Sequence, residues 1–203
     1  RYAYAVDASD GSILWKTDHS EAIDSKKAVE GWNDAPKVKS VTPLVKDGRI
    51  YFSGGYDHGG ALLEMADSGR SVKVVWTDNT LDIHHGGAIL VNGHIYGSNW
   101  INNKDGNWCC LDWATGKVMY EEKWKSKGSI ISADGLLYIY EEKSGNVALL
   151  HPDPEQMKII STFKVEEGAG PHWAHPYIAG GKLFIRHGDV IMVYNISETG
   201  QQG

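Results

Sequence analysis

The chain has 203 residues, a net charge of −6, and 41% hydrophobic against 23% charged residues. That length can bury a real core, and the balance describes a folded globular chain rather than a disordered one. No Lys/Arg run exceeds two residues and no apolar run approaches the ~18 residues of a membrane helix, so nucleic acid, anionic membrane surfaces and a transmembrane role are poor expectations.

Eight Trp, ten Tyr and 24 Gly favour many short strands joined by tight turns. The opening "RYAYAVDASDGSILWKTD" (1–18) reads as two strands around a hairpin turn. After a long polar segment (19–39), the same grammar recurs three times in full. "SVTPLV", "KDGRIYFS", "GALLEMA" and "VKVVWTD" form the first group, over about 40–78. "GGAILV", "VNGHIYGS", "NWCCLDW" and "KVMYEEKW" form the second, over about 84–125. "GSIISA", "ADGLLYIY", "NVALLHP" and "KIISTFKV" form the third, over about 127–165. A last group, "AHPYIA", "AGGKLFIR" and "VIMVYNI" (172–196), stops after three strands. The turn glycines Gly48, Gly93, Gly135 and Gly181 follow one another at intervals of 45, 42 and 46 residues.

Four short strands per repeat of about 40–50 residues is the pattern of a β-propeller blade. The expected fold is all-β: four-stranded antiparallel blades, about four in succession, with seventeen strands and minor helix content at most. A ring cut at both ends leaves open edges. The expectation is therefore part of a longer propeller, with completion by a second copy as the alternative.

Aligned on the third strand of each group, "AVDASDGSILW" (Ala5–Trp15) matches "CLDWATGKVMY" (Cys110–Tyr120): an acidic residue, a turn ending in Gly, and an aromatic four residues later. "LEMADSGRSVKVVW" (Leu63–Trp76) is a looser copy. This pattern resembles the repeats of the pyrroloquinoline-quinone (PQQ) propeller superfamily, which includes quinoprotein alcohol dehydrogenases and non-catalytic propellers. The resemblance implies a ring of about 7–8 blades and a periplasmic or otherwise extracytoplasmic setting. It assigns blade docking to Asp7, Gly11, Trp15, Asp112, Gly116 and Tyr120. Their chemistry suits that role: glycine takes positive φ in the hairpin, Asp accepts from turn amides, and the aromatic supplies flat area. In dehydrogenases of the family PQQ stacks on a funnel Trp beside calcium, so both cofactors are possible here, although the catalytic Asp and calcium site of that pattern are not found.

One face of such a ring carries the connections from strand two to three and from strand four to the next strand one; in the family it holds the ligand funnel. Six of the nine histidines fall there: His19, His58, His84, His85, His172 and His175. The candidate binding residues are Trp32, Asp57, His58, His84, His85, Asn99, Trp100, His172, Trp173 and His175, because aromatics give stacking surfaces and Asn, Asp and His give oriented donors and acceptors. The competing reading has these side chains simply filling the mouth and packing blades. A metal site on His84, His85, His172 and His175 is disfavoured, since sequence neighbours should point apart and "HWAH" lacks a helix. "NNKDG" (102–106) offers oxygens for calcium but not the full set of a calcium loop.

Two functions follow. The first is a binding or scaffold propeller using its loop-rich face for a small ligand or protein partner. The second is a quinoprotein-type dehydrogenase of alcohols or sugars. The adjacent Cys109 and Cys110 resemble a disulfide found near the quinone in such dehydrogenases, but consecutive Cα atoms lie only ~3.8 Å apart and strand neighbours face opposite ways. Both are expected to be buried, reduced thiols.

Overall fold

A computed structural model describes residues 2–18 and 41–197. Those residues form seventeen strands and no helix. They are β1 (Tyr2–Val6) and β2 (Ile13–Asp18); β3 (Leu44–Lys46), β4 (Arg49–Ser53), β5 (Gly60–Met65) and β6 (Val72–Asp78); β7 (Ala88–Val91), β8 (His94–Ser98), β9 (Trp108–Asp112) and β10 (Val118–Glu122); β11 (Gly128–Ala133), β12 (Leu136–Glu141), β13 (Asn146–His151) and β14 (Lys158–Lys164); and β15 (Tyr177–Ala179), β16 (Lys182–His187) and β17 (Val190–Asn195). They pair only with sequence neighbours, always antiparallel, into sheets of two, four, four, four and three strands. Each four-stranded sheet is thus a meander, the blade of a β-propeller.

The side-chain alternation of the third strand explains why the blades stack. In β9, Cys109 and Leu111 join Tyr51, Leu62, Leu81, Ile83 and Ile95 in a cluster shared with the preceding blade. Cys110 points the other way, into a cluster with Tyr96, Ile130, Leu137, Ile139 and Ala148 shared with the following blade. A third cluster, including Tyr138, Tyr140, Val147, Leu183 and Ile185, joins the last two sheets, and a smaller one around Ala3, Trp15 and Ile50 holds β1–β2. Both faces of a middle strand are therefore apolar, which is why these strands read as continuous hydrophobic runs. Burial raises both thiol pKa values, Cys110 to about 12, and both cysteines are free and buried. A thiol reagent should label neither in the native protein and both on unfolding; rapid native labelling of Cys109 would contradict this packing.

Polar seams reinforce the apolar ones. At the end of β4, Ser53 Oγ donates to the Leu81 carbonyl (2.6 Å) and accepts from the Ile83 amide (2.9 Å). At the matching end of β8, Ser98 Oγ donates to the Gly128 carbonyl (2.9 Å) and accepts from the Gly128 amide (3.0 Å). One hydroxyl thus satisfies a donor and an acceptor of the next blade. Replacing Ser98 with Ala should cost about 1–3 kcal/mol in urea denaturation, because two buried backbone groups lose their partner.

Side-chain hydrogen bonds close the hairpin turns of β1–β2 and β9–β10. Asp112 Oδ1 accepts from the Thr115 amide and hydroxyl, at 2.8 and 2.6 Å, and the bond from the Thr115 hydroxyl, joined by that from its amide, holds the carboxyl below the usual range against the opposing effect of burial. Asp7 does the same for Ser9, and Gly11 and Gly116 have φ of +75° and +72°. Trp76 on β6 lies over the turn of the next blade: a Cβ on Gly116 would come within 2.6 Å of its ring, and its indole N–H donates to the Trp113 carbonyl at 3.1 Å. Trp15 is buried against the following sheet, whereas Tyr120 is half-buried at the edge of its cluster. Trp76→Ala should therefore destabilise the chain by about 1–3 kcal/mol in urea denaturation, less than for a fully buried Trp because the ring is half-buried. Gly116→Ala should also destabilise it through both contact and φ, whereas Gly135→Ala, with open space around it and the same sign of φ, loses only the conformational part.

Candidate functional site

The segment 79–87 between β6 and β7 is not extended, so the alternation of a strand does not govern it. His84 and His85, expected to point apart, instead lie side by side, with ring centroids 4.9 Å apart and planes at 56°. They form the middle of an aromatic–imidazole array. Tyr56, from the loop between β4 and β5, meets His84 edge-on at 4.9 Å, with its hydroxyl 2.8 Å from His84 Nε2. Trp100, from the loop between β8 and β9, leans on Tyr56 at 5.0 Å. On the other side Trp173, from the β14–β15 connection, meets His85 edge-on at 5.8 Å. Trp173 is 57% exposed and is the most open aromatic of the array. His175 Nε2 lies 2.8 Å from the His85 carbonyl oxygen, fastening the same connection to the array.

The loop carrying Tyr56 is wound around a carboxylate. Asp82 accepts from the backbone amides of Asp57 (2.8 Å), His58 (3.1 Å) and Gly59 (2.9 Å), and its own carbonyl accepts from the Trp100 amide (2.7 Å). Tyr56 and Asp57 take φ of +65° and +61° to make this wrap, a left-handed conformation that side chains adopt at a cost. Burial raises the Asp82 pKa to about 7, with the three amides pulling the other way. A carboxyl whose folded value lies above its ordinary 3.8 binds extra proton in the folded state between those values. Its contribution to stability is complete at about pH 4 and below and declines as pH rises to about 7, by at most ~1.4 kcal/mol per pH unit. Asp82→Asn should remove that part of the pH dependence of the urea midpoint, while lowering stability by about 1–3 kcal/mol at pH 4. A variant profile parallel to the wild type between pH 4 and 7 would contradict the assignment.

Beneath His85 lies a buried Lys–Glu ion pair. Glu142, just after β12, places Oε1 2.5 Å from Lys127 Nζ and Oε2 3.0 Å from His85 Nε2. Lys127, 2% exposed, also donates to the Asn102 carbonyl at 3.0 Å. Burial opposes ionisation of Glu142, but the contacts with His85 and Lys127 outweigh it and lower its pKa. A lysine this deep is tolerable only because its charge is matched and bonded. The Lys127–Glu142 pair thus joins two connections, with the His85 ring of a third packed beside it.

Beside the array, β3, β7 and β11 line an open cavity of about 450 Å³. Its walls are mostly apolar, formed by Leu44, Ala88, Ile89, Ile130 and Ile131 together with His85 and His175.

Of the residues singled out in the sequence, the structure brings together His84, His85, Trp100, Trp173 and His175. Asp57 contributes its amide to Asp82, and His58 turns inward, Nδ1 2.8 Å from the Gly55 carbonyl oxygen. Asn99 closes its own loop: its carboxamide donates to Glu121 (2.8 Å) and accepts from the Asn107 amide (2.7 Å). His172 is buried away from the array, against Tyr140 and His187. Trp32 lies outside the described residues. Tyr56, Lys127 and Glu142 were not singled out. Tyr56 and Glu142 sit on loops already assigned to this face, and Lys127 on the short 123–127 connection that belongs with them.

The cofactors of the quinoprotein pattern fit poorly among the described residues. Asp105 is ion-paired with Lys123, the Asn102 carbonyl holds the Lys127 ammonium, and Asn102 Oδ1 accepts from the Lys104 amide. Two lysine cations thus occupy oxygens that calcium would need, and no group of three or more His, Cys, Asp or Glu side chains converges there or elsewhere among the described residues. PQQ carries several carboxylates, yet no Lys or Arg lines the cavity, and Lys127 is already committed.

No family model matches the sequence, and no curated protein matches it. Among solved structures the chain is similar to BamB from Moraxella catarrhalis, with a TM-score of 0.65 and 16% identity over 95% of this chain. The match covers 52% of that structure, so the chain spans about half its length. A similarity to the nidogen/laminin complex has a TM-score of 0.41 and 17% identity, over 58% of this chain and 43% of that one. The BamB likeness shows the β-propeller fold.

Proposed function

We propose that this chain is part of an extracytoplasmic, PQQ-like β-propeller that acts as a binding or scaffold module and takes a small ligand or protein partner at its loop-rich face. The observation that carries this reading is the joining of the aromatic–imidazole array to the cavity through His85 and His175. The cavity is within the ~300–1,000 Å³ range of small-molecule sites, apolar with a few convergent polar groups. Trp173 stands at the array's open end, where an indole contributes large contact area on binding. The extracytoplasmic setting rests on the repeat pattern around Asp7, Trp15, Asp112 and Tyr120. His84 Nε2 lies 2.8 Å from the Tyr56 hydroxyl and the His85 ring packs beside Glu142, so the array presents an ordered surface.

Indole-fluorescence titration with a panel of sugars and uncharged planar heterocycles tests the reading. Trp173→Ala should weaken a ligand that binds by about tenfold or more, ~1.4 kcal/mol, while Trp124→Ala, placed away from the array in the Cys110 cluster, should leave affinity unchanged. Equal affinity in Trp173→Ala and wild type would move the site elsewhere. Titration with PQQ and calcium, followed by quinone absorbance and a dye-linked alcohol assay, should show neither binding at ~10–100 μM nor turnover. Binding with turnover would restore the dehydrogenase reading.

A further inference from the structure

The β14–β15 connection carries both Trp173 and His175, and it is held from below by a pair of buried histidines. His187, the last residue of β16, places Nδ1 2.7 Å from the Glu167 carbonyl oxygen and Nε2 2.7 Å from the Gly170 carbonyl oxygen. Carbonyl oxygens only accept, so both bonds form together only when both ring nitrogens carry hydrogen, that is, in the imidazolium. His172 stacks on His187 at a centroid distance of 3.7 Å and 20° between planes. Its Nδ1 lies 2.5 Å from the Tyr140 hydroxyl. Burial raises the Tyr140 pKa well above the ordinary value, so the phenol keeps its proton and can donate it to an unprotonated His172 Nδ1. That arrangement makes His172 the neutral ring of the pair. Burial, followed by the charge of His187, lowers its pKa.

We propose that His172 and His187 form a one-proton latch that regulates the candidate site by holding the β14–β15 connection, and with it Trp173 and His175, against His85. This rests on the binding reading given above for what is regulated, but the latch itself rests only on the geometry of the two rings. With one proton on the pair, His187 binds both carbonyls and the neutral His172 stacks on it. Removing that proton leaves a ring lone pair facing a carbonyl oxygen, and one of the two bonds is lost. Adding a second places two imidazoliums face to face at 3.7 Å in a buried site. Both departures loosen the same segment, so the latch closes within a pH window and opens on either side. His175 Nε2 at the His85 carbonyl holds the far part of the segment, while Val165 N–H to the Gly145 carbonyl (2.9 Å) and His172 N–H to the Glu142 carbonyl (3.2 Å) flank residues 166–171, whose hydrogen bonds among the described residues are those to His187. The titratable and charged groups around the pair are Tyr140 and Glu141 of β12, Lys164 of β14, Glu166 and Glu167 of the connection, and Tyr194 of β17. Glu141 favours protonation of His172 while Lys164 and His187 oppose it. Of these groups, only the two imidazoles have ordinary pKa values near neutrality.

The test uses the wild-type chain with ¹⁵N-labelled histidine. Long-range ¹H–¹⁵N spectra at pH 7 should show His187 with both nitrogens protonated and His172 protonated at Nε2 alone. An unprotonated nitrogen on His187 at pH 7 overturns the latch. Amide hydrogen exchange of residues 166–173, corrected for the intrinsic pH dependence of exchange, should pass through a maximum of protection between pH 5 and 9 and fall about tenfold on both sides. A flat profile overturns it equally. His187→Gln should lower the maximum and flatten the curve; a curve unchanged from wild type argues against the proposal, and neither wild-type measurement depends on that variant folding. None of these readouts needs a ligand. Failure of Trp173→Ala to affect binding would remove the site and leave the latch standing, whereas flat protection beside a Trp173-dependent affinity would remove only the latch.

Discussion

A blade of four strands cannot bury both of its faces by itself, and the rest of this structure follows from that constraint. The middle strands are apolar on both sides because each side meets a different neighbour, as Cys109 and Cys110 do in adjacent positions of β9. Such burial contributes roughly 25 cal/mol per Å² of apolar surface removed from water, and it is realised only when consecutive sheets are stacked. The hydrogen bonds of Ser53 and Ser98 and the indole of Trp76 across Gly116 then set how far one blade is rotated from the next. Stability and geometry are therefore properties of blade pairs.

The same constraint places the candidate site. Stacking brings the strand-two-to-three loop of one blade beside the incoming connection of the next, so residues distant in sequence share one mouth: Tyr56 with His84, His85 with Glu142 and Trp173. Loops so placed need internal anchors, because they lack ladder hydrogen bonds. Asp82 anchors one loop through three amides, and Asn99 anchors another through its carboxamide. Lys127 and Glu142 anchor the inner side with a matched ion pair, whose high cost of separation when buried favours a single arrangement.

The fold was largely legible in the sequence because it is written in local signals. A turn glycine followed by a strand marks each hairpin, and β4, β8, β12 and β16 begin at the residue after Gly48, Gly93, Gly135 and Gly181. The interval between glycines supplied the repeat. The site was legible only as a set of loops. His84, His85, Trp100, Trp173 and His175 converge, but the rule that sequence neighbours diverge holds for strands, and the bend at 84–86 breaks it. His58 and Asn99 show the converse, since a polar residue on this face can be taken up in holding its own loop, and His172 turns to Tyr140 of β12. Lys127 and Glu142 were missed because a Lys and a Glu fifteen positions apart carry no sign of being buried together.

His187 illustrates a further limit of pattern reading. Its position, at the end of a strand and facing a two-residue turn, suggests nothing, and its meaning comes wholly from two carbonyl oxygens contributed by a connection seventeen to twenty residues earlier. The backbone there takes positive φ at Gly168 and Gly170, +93° and +94°, aiming two carbonyls at one ring. Backbone acceptors fixed in this way demand a charged donor, and a charged ring demands that whatever stacks on it be neutral. The protonation states of both histidines are thus set by the path of the main chain. That path also positions Trp173, so the electrostatics of the pair and the shape of the mouth are two consequences of one loop conformation.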